Sequence, residues 1–166
     1  RRAAREAAAS RAHGEAAVQL ERALQVAGQA SDAATPALRF ELLMALGDAQ
    51  FRSGQSDPAA RSYLRAAVLA QRERWWSRLP EAVLALQHVQ GQLGLIHVAS
   101  VPLHHLALEQ LPAGATALRA RLLASLASAC RREEDRPLGL RWYEESIVLA
   151  REVGDPRVLV ECLNQA

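Results

Sequence analysis

The chain has 166 residues, of which half are hydrophobic and only 4 % aromatic, and its 20 basic residues against 18 acidic ones give a formal charge of +2. Alanine, leucine and arginine dominate, which favours closely packed helices over β-sheet. The arginines are mixed with acidic residues, so the sequence lacks the dense basic stripe that binds nucleic acid. No apolar run reaches the roughly 20 residues that span a bilayer. We therefore expect an all-α, cytoplasmic protein that contacts neither DNA nor a membrane directly.

Helix boundaries are predicted from capping residues followed by proline. The pairing suits a helix start because the cap accepts an orphan N–H and proline lacks one. Such starts occur at Thr35-Pro36, Asp57-Pro58, Ser100-Val101-Pro102, Asp135-Arg136-Pro137 and Asp155-Pro156. Turns are predicted at His13-Gly14, Ser53-Gly54-Gln55, Ser77 to Pro80 and Pro112-Ala113-Gly114. The predicted helices cover residues 1–12, 15–28, 36–53, 58–74, 80–94, 102–111, 116–133 and 137–153, and a ninth begins near 156.

A small–large–small pattern recurs in alternate helices, at Ala16-Leu20-Ala23, Ala59-Tyr63-Ala66 and Gly139-Tyr143-Ser146. The helices before the last two carry a small residue after leucine, at Leu46-Gly47 and Leu126-Ala127. Small residues let two helices cross closely, and the large side chain between them fills the space at the crossing. The pattern predicts a tetratricopeptide-like helical-hairpin solenoid of eight to nine antiparallel helices with units of about 40 residues. A closed helical bundle is the alternative.

The middle unit, residues 78–112, fits this register poorly. Leu86-Gln87 stands where a leucine and a small residue are expected, and Pro102 and His104-His105 interrupt the following helix. We therefore expect an irregular hairpin there, within a single tetratricopeptide-like domain over residues 1–166. Because the chain starts and stops inside Ala-rich or apolar helical runs, we also expect it to be part of a longer protein.

Two stretches carry a family resemblance. Residues 40–70 read FELLMALGDAQFRSGQSDPAARSYLRAAVLA, and residues 108–166 include LEQLPAGATALRARLLASLASACRREED and ESIVLAREVGDPRVLVECLNQA. Both resemble the tetratricopeptide-like middle region of the large ATP-binding regulators of the LuxR family. Similar runs also occur beside class III nucleotide cyclase domains and other signalling domains. A regulatory arm of a nucleotide cyclase or kinase signalling protein is therefore the alternative interpretation.

The resemblance implies a setting. Members of that regulator family have an N-terminal ATPase, a tetratricopeptide-like middle and a C-terminal helix-turn-helix that binds promoters, often of secondary-metabolite genes in actinobacteria. The chain contains no lysine and hence no GxxxxGK[ST] phosphate loop, so neither the ATPase nor any other cofactor site is expected here. The resemblance implies that this segment senses an effector or partner and relays the signal by self-association.

No catalytic or metal site is expected. His88, His97, His104 and His105 cluster in the middle unit, but Pro102 breaks their alignment, so packing or surface histidines are the favoured interpretation. The cysteines Cys130 and Cys162 lack CxxC spacing and fit reduced, unreactive thiols. The acidic run Glu133-Glu134-Asp135 reads as a solvated helix end with a cap. The sequence therefore predicts a binding protein rather than an enzyme.

Two sets of residues are predicted to bind partners. In the hairpin register, the first helix of each unit lines a concave groove, which would receive a protein segment or a small effector. The groove positions are Glu41, Met44, Asp48, Arg52, Glu81, Leu84, His88, Gln92, Arg121, Ser128, Arg131 and Arg132. Trp75 and Trp76 are candidates for homodimer contact, because two adjacent indoles cannot both face one neighbour. A solvated helix face and internal packing are the respective alternatives.

Overall fold

The structure, a computed structural model, describes residues 2–29, 35–92, 100–130 and 134–165. All regular elements in these ranges are α-helices, as predicted. In chain order they are α1 (Arg2–Gln29), α2 (Pro36–Arg52), α3 (Ser56–Arg72), α4 (Leu79–Gln92), α5 (Val101–Gln110), α6 (Thr116–Ala129), α7 (Arg136–Val153) and α8 (Pro156–Leu163).

Two compact units divide the chain. Unit 1 is Arg1–Leu93 and contains α1–α4, and unit 2 is Gly94–Ala166 and contains α5–α8. In each unit consecutive helices pack against one another, and α8 packs on both α6 and α7. This succession confirms the predicted all-α, tetratricopeptide-like hairpin architecture. The irregular hairpin predicted over 78–112 includes residues 93–99, which lie outside the described ranges, and a single domain over 1–166 stays a prediction.

The crossing of α2 and α3 follows the predicted small–large–small rule. Ala59 and Ala66 are fully buried, and Tyr63 is 3 % exposed. The Tyr63 ring lies directly against the backbone of Gly47, where an added Cβ would be 2.6 Å from the ring carbon Cε1. That is shorter than carbon atoms approach one another without bonding, so the crossing requires a residue without a side chain at this position. The sequence pattern is confirmed here.

The crossing of α6 and α7 uses the same rule with different atoms. An added Cβ on Gly139 would lie 2.7 Å from Cys130 Cβ and 3.4 Å from the carbonyl oxygen of Ala127. Ser146 is fully buried, and its hydroxyl donates a 2.6 Å hydrogen bond to the carbonyl oxygen of Tyr143. The Tyr143 side chain is half-buried against the core of unit 2. The predicted register holds in this hairpin too.

Helix α1 corrects the predicted turn at His13-Gly14, because it runs without a break through both residues. Glycine in a helix interior costs about 1 kcal/mol relative to alanine, which is too little to end a helix that has no proline or capping residue at that point. Nothing lies within 4 Å of the position that a Gly14 side chain would take. The glycine is therefore tolerated on an open helix face.

Helix α1 also packs through a different face from the one predicted. In the Ala16-Leu20-Ala23 pattern only Leu20 reaches the core, since Ala16 and Ala23 are exposed. The buried residue is Ala17, which packs with Leu20 and Leu24 against α2. The first occurrence of the small–large–small pattern was therefore wrongly assigned, because alanine is frequent throughout this helix and satisfies a small-residue rule by chance.

Two helix starts show the predicted capping chemistry. The Thr35 hydroxyl accepts a 3.3 Å hydrogen bond from the Leu38 N–H at the start of α2. The Asp155 carboxylate accepts a 2.9 Å bond from the Arg157 N–H at the start of α8. Helices α3, α5 and α7 start within two residues of the predicted proline, but no side-chain cap bond forms at their N-caps. The proline positions therefore predicted where these helices start, but they did not predict which N-cap side chains form a hydrogen bond.

Helices α2 and α3 are each followed, two residues after their last helical residue, by a residue with a left-handed backbone. After α2 this residue is Gly54, with φ of 84°, and after α3 it is Arg74, with φ of 57°. A left-handed conformation costs a residue with a side chain roughly 1 kcal/mol more than glycine. The Trp75 N–H then donates a 2.8 Å hydrogen bond to the carbonyl oxygen of Ala70, which closes the turn. The left-handed Arg74 thereby sets the position of Trp75 relative to the end of α3.

The tight α2–α3 crossing generates a stability prediction. We expect Gly47→Ala to lower the free energy of unfolding by about 1–3 kcal/mol, because the added methyl group overlaps the Tyr63 ring. The matched control is Gly14→Ala, whose methyl group meets open space and should raise stability by about 0.5–1 kcal/mol. Urea titration followed by circular dichroism measures both. Equal stability of Gly47→Ala and the wild-type chain would contradict the crossing described here.

Candidate interaction surface on helices α2 and α4

Helices α2 and α4 both pack on α3, and residues of all three helices share one core cluster. Tyr63 from α3 and Leu86 and Val89 from α4 are buried together, with Met44 and Phe51 of α2 packed against them. The predicted groove residues of unit 1 include Met44, which borders this core, and exposed residues of both helices, and we call the set the α2–α4 face. Its members are Glu41, Met44, Asp48 and Arg52 on α2, and Glu81, Leu84, His88 and Gln92 on α4.

Contacts at both ends of the α2–α4 face show that the two helices run in the same direction. Near the start of α2, Glu41 Oε1 lies 3.1 Å from Nη1 of Arg78, the residue that precedes α4. Near the end of α2, the rings of Phe51 and His88 meet edge-on at 5.4 Å between centroids. Parallel neighbours of this kind place corresponding side chains in two adjacent rows. These contacts involve two of the predicted groove residues, Glu41 and His88, and the groove as a whole stays a prediction.

Arg78 and Trp75 close one end of the face. The Arg78 guanidinium carbon lies 5.3 Å from the Phe40 ring centroid and 5.0 Å from that of Trp75, within cation–π range. The Phe40 and Trp75 rings are themselves 6.1 Å apart and almost perpendicular. Trp75 thus packs inside unit 1. Trp76 is half-buried, and among the described residues it has no ring contact or hydrogen bond, so its part in self-association stays a prediction.

Asp48 connects the face to the core. Its Oδ1 accepts a 2.6 Å hydrogen bond from the Tyr63 hydroxyl, while the carboxylate itself is exposed. Burial, the hydrogen bond to Asp48 and the negative charge of Asp48 together hold the pKa of Tyr63 far above its ordinary value, against the opposing charge of Arg52. The phenol therefore stays protonated, and it keeps Asp48 in one position.

The α4 side of the face is polar and exposed. His88 and Gln92 are both exposed and one helical turn apart, and His88 Nε2 lies 3.5 Å from Gln92 Nε2. Leu84, one turn earlier, is half-buried, as is Met44 on α2. The face therefore combines an apolar centre with hydrogen-bonding and charged groups around it, which is the usual composition of a protein-binding surface.

The groove residues predicted in unit 2 are only partly placed. Arg121 on α6 forms an ion pair and a short hydrogen bond with Glu161 on α8, so its guanidinium is already engaged within the unit. The Ser128 hydroxyl donates a 2.8 Å bond to the carbonyl oxygen of Ser125. Arg131 and Arg132 lie outside the described residues. An arginine cluster on this unit thus stays a prediction.

His104 is a buried histidine whose role the sequence did not reveal. It is 1 % exposed, with Nδ1 2.9 Å from the carbonyl oxygen of Ser100 and Nε2 2.9 Å from the Ser125 hydroxyl. A carbonyl oxygen only accepts, so Nδ1 carries the proton and Nε2 accepts the Ser125 O–H. Burial is the main cause that lowers the pKa of His104, and the charge of His105 adds to it, against the Ser100 hydrogen bond.

The Ser125–His104 pair has the hydrogen bond of an activated nucleophile but not its accessibility. Ser125 is 3 % exposed, so no substrate reaches its hydroxyl. The neighbouring His105 is exposed and meets the Trp142 ring edge-on at 5.7 Å between centroids. Residue His97 lies outside the described ranges, and within those ranges no three His, Cys, Asp or Glu residues are grouped to hold a metal ion. The pair is best explained as a satisfied polar contact between α5 and α6.

Both cysteines sit in surroundings that favour the protonated thiol. Burial and, secondarily, the charge of Asp135 raise the pKa of Cys130, whose Cβ packs against Gly139. Burial and, secondarily, Glu161 raise the pKa of Cys162, which is fully buried. A raised pKa lowers the fraction of reactive thiolate. These thiols act as small packing groups in unit 2.

The buried His104 generates a pH prediction. Because its folded pKa lies below the unfolded value of about 6.5, the neutral ring stabilises unit 2 above that pH, and stability falls as the pH drops below it. We expect about 1.4 kcal/mol of loss for each unit by which the pKa is lowered. His104→Gln should flatten this dependence, whereas the exposed control His105→Gln should keep it. Urea titrations between pH 7 and about 5 measure the slopes; an identical slope for His104→Gln and wild type would refute the assignment.

Comparison with known proteins neither supports nor contradicts the resemblance of residues 40–70 and 108–166 to the LuxR-type regulators. No known family model matches the chain, and no curated protein has a matching sequence. Within the described residues, no helix is both long enough and apolar enough to cross a membrane. The regulator setting is therefore a proposal that depends on the residues which carry the resemblance, and the interaction surface depends on geometry alone.

Proposed function

We propose that the chain is a protein-interaction domain in which the α2–α4 face of unit 1 binds a segment of a partner protein. The observation that carries this proposal is the parallel pairing of α2 and α4 over one core, which presents two rows of side chains along a common direction. Helical-repeat proteins bind extended or helical segments along such rows. No catalytic role is proposed for any residue.

The chemistry of the face narrows the kind of partner. Met44 and Leu84 supply apolar area near its centre, and the exposed Asp48 carboxylate is held in place by Tyr63. A preorganised acceptor loses little side-chain entropy when it binds. The partner segment should therefore present an apolar residue beside a basic one, and its polar groups should meet His88 and Gln92.

The proposed setting is a LuxR-type ATP-binding transcriptional regulator, of the kind that controls secondary-metabolite genes. It is supported by the resemblance of residues 40–70 and 108–166 to the middle region of that family. In this setting a separate helix-turn-helix would bind DNA, and the present segment would relay partner or effector binding through the assembly state. The alternative setting is the regulatory arm of a nucleotide cyclase or kinase. The domains that adjoin this segment in the full-length protein distinguish the two.

A peptide selection tests the α2–α4 face. Peptides selected from a random library against the 166-residue chain should bind more weakly to a double variant that carries His88→Lys and Gln92→Lys, by about tenfold or more, equal to ~1.4 kcal/mol, because the added positive charges repel the basic residue of the partner. The control is a double variant with Val68→Lys and Gln71→Lys, at exposed positions of α3. Fluorescence anisotropy gives the affinities. Equal affinity for the wild type and the α4 double variant would remove the α2–α4 face as the binding site.

Light scattering tests self-association. If Trp76 forms the predicted homodimer contact, Trp76→Ala should reduce the solution mass from dimer to monomer without loss of helicity. Trp75→Ala serves as the comparison, because Trp75 packs on Phe40 and its removal should lower stability by about 3 kcal/mol. An unchanged mass for Trp76→Ala, at a concentration where wild type is dimeric, would exclude this contact.

A further inference from the structure

A second candidate site lies on unit 1, away from the α2–α4 face. It is a cleft of about 500 Å³ between α1, α2 and α3, and its walls include Glu21 of α1 and Arg61 and Arg65 of α3. On α2, the cleft residues Leu46 and Gln50 each follow a residue of the α2–α4 face by two positions, which is about 200° around the helix. The cleft therefore opens on the opposite side of α2, and its proposal does not depend on partner binding by the face.

Buried polar groups form the floor of this cleft. Gln50, 3 % exposed, donates a 3.1 Å hydrogen bond from Nε2 to Glu21 Oε1. Its Oε1 accepts a 2.7 Å bond from the hydroxyl of Ser62, which is 4 % exposed. The three side chains come from α1, α2 and α3, so the network joins all three helices. Its bonds also fix which way the Gln50 amide points.

Opposite charges face this floor from the two walls. Glu21 is negative and lies on α1, whereas Arg61 and Arg65 are positive and lie one turn apart on α3. Among the described residues, neither arginine has an ion pair or a hydrogen bond. Like charges at this spacing on a helix destabilise it by a few tenths of a kcal/mol. A carboxylate bound between the two guanidinium groups would remove that repulsion.

We propose that the cleft binds a small zwitterion, with its carboxylate between Arg61 and Arg65 and its ammonium group at Glu21. A free amino acid and a short peptide share this chemistry. Glu21 argues against a simple dianion, because its carboxylate would repel a second negative group at that wall. The volume of the cleft falls within the range of about 300–1,000 Å³ that is usual for small-molecule sites. The ligand would tie α1 to α3 and so hold α1 against the α2–α3 hairpin.

Calorimetric titration of the 166-residue chain with the common L-amino acids and a set of dipeptides tests the proposal. At least one of these compounds should bind. For that compound, N-acetylation and methyl esterification should each weaken binding by about tenfold or more, because each removes one of the two charges. The arm that binds more tightly identifies the source as a free amino acid or a peptide. No binding by either arm at millimolar concentration, or equal binding of the blocked compounds, would overturn the proposal.

Variants then assign each charge to a wall. In the double variant Arg61→Gln and Arg65→Gln, the free acid and its methyl ester should bind equally, while the preference for a free amine remains. In Glu21→Gln the reverse should hold. The control is Arg72→Gln, the same kind of substitution on α3 outside the cleft lining, which should behave as wild type. If the wall variants keep both preferences, the ligand binds elsewhere and the site is refuted. If a variant does not fold, the blocked-ligand series on the wild-type chain still decides.

Discussion

The contact between the Tyr63 ring and the bare backbone at Gly47 sets the geometry of unit 1. It allows α2 and α3 to approach closely, because a side chain at position 47 would overlap the ring. The hydroxyl of the same ring donates a hydrogen bond to Asp48. The position of Asp48 on the α2–α4 face therefore depends on the packing of Tyr63 in the core. The buried Ser62–Gln50 hydrogen bond joins the same two helices on the cleft side. A displacement of α3 by the width of one methyl group would therefore disturb both surfaces together.

In this arrangement, two opposite sides of α2 contribute to two different candidate sites. One side carries the α2–α4 face, and the other side, at Leu46 and Gln50, forms part of the cleft. A short helix moves as a rigid body, so a ligand that shifts α1 and α3 against α2 also shifts Asp48 relative to α4. Coupling of this kind requires that the ligand prefer one arrangement of the three helices over another. The cleft and the face would then act as effector site and output surface within unit 1.

Local chemistry explains which parts of the fold the sequence predicted. Gly47 with Tyr63, Thr35 before Pro36 and Gly54 after α2 each act through neighbours or through one helix crossing, so their patterns are readable. Gly14 misled the prediction because a modest propensity cost was treated as a helix break. His104 was not assigned because its partner Ser125 lies 21 residues away on another helix, and no local pattern records such a pairing.

The candidate surfaces likewise divide into features that the local sequence indicates and features that depend on how distant helices pack. The groove positions of α2 and α4 followed from the hairpin register, and their use as a binding surface stays a prediction. The cleft was missed because the register directed attention to first-helix positions, whereas Arg61 and Arg65 belong to a second helix. Their spacing on one side of α3 was visible in the sequence. What was not visible is that Glu21 and Gln50 come to lie opposite them, which depends on how α1 packs.

Ion pairs distinguish Asp48 from two other charged positions of the predicted groove. Glu41 is paired with Arg78 in unit 1, and Arg121 is paired with Glu161 in unit 2. A surface charge that already has a partner gains little from a new one, because the first pair must be given up. Asp48 differs from them, since its described hydrogen bond is to a neutral phenol rather than to an arginine. On the proposed α2–α4 face, a basic group of a partner would therefore gain most at Asp48.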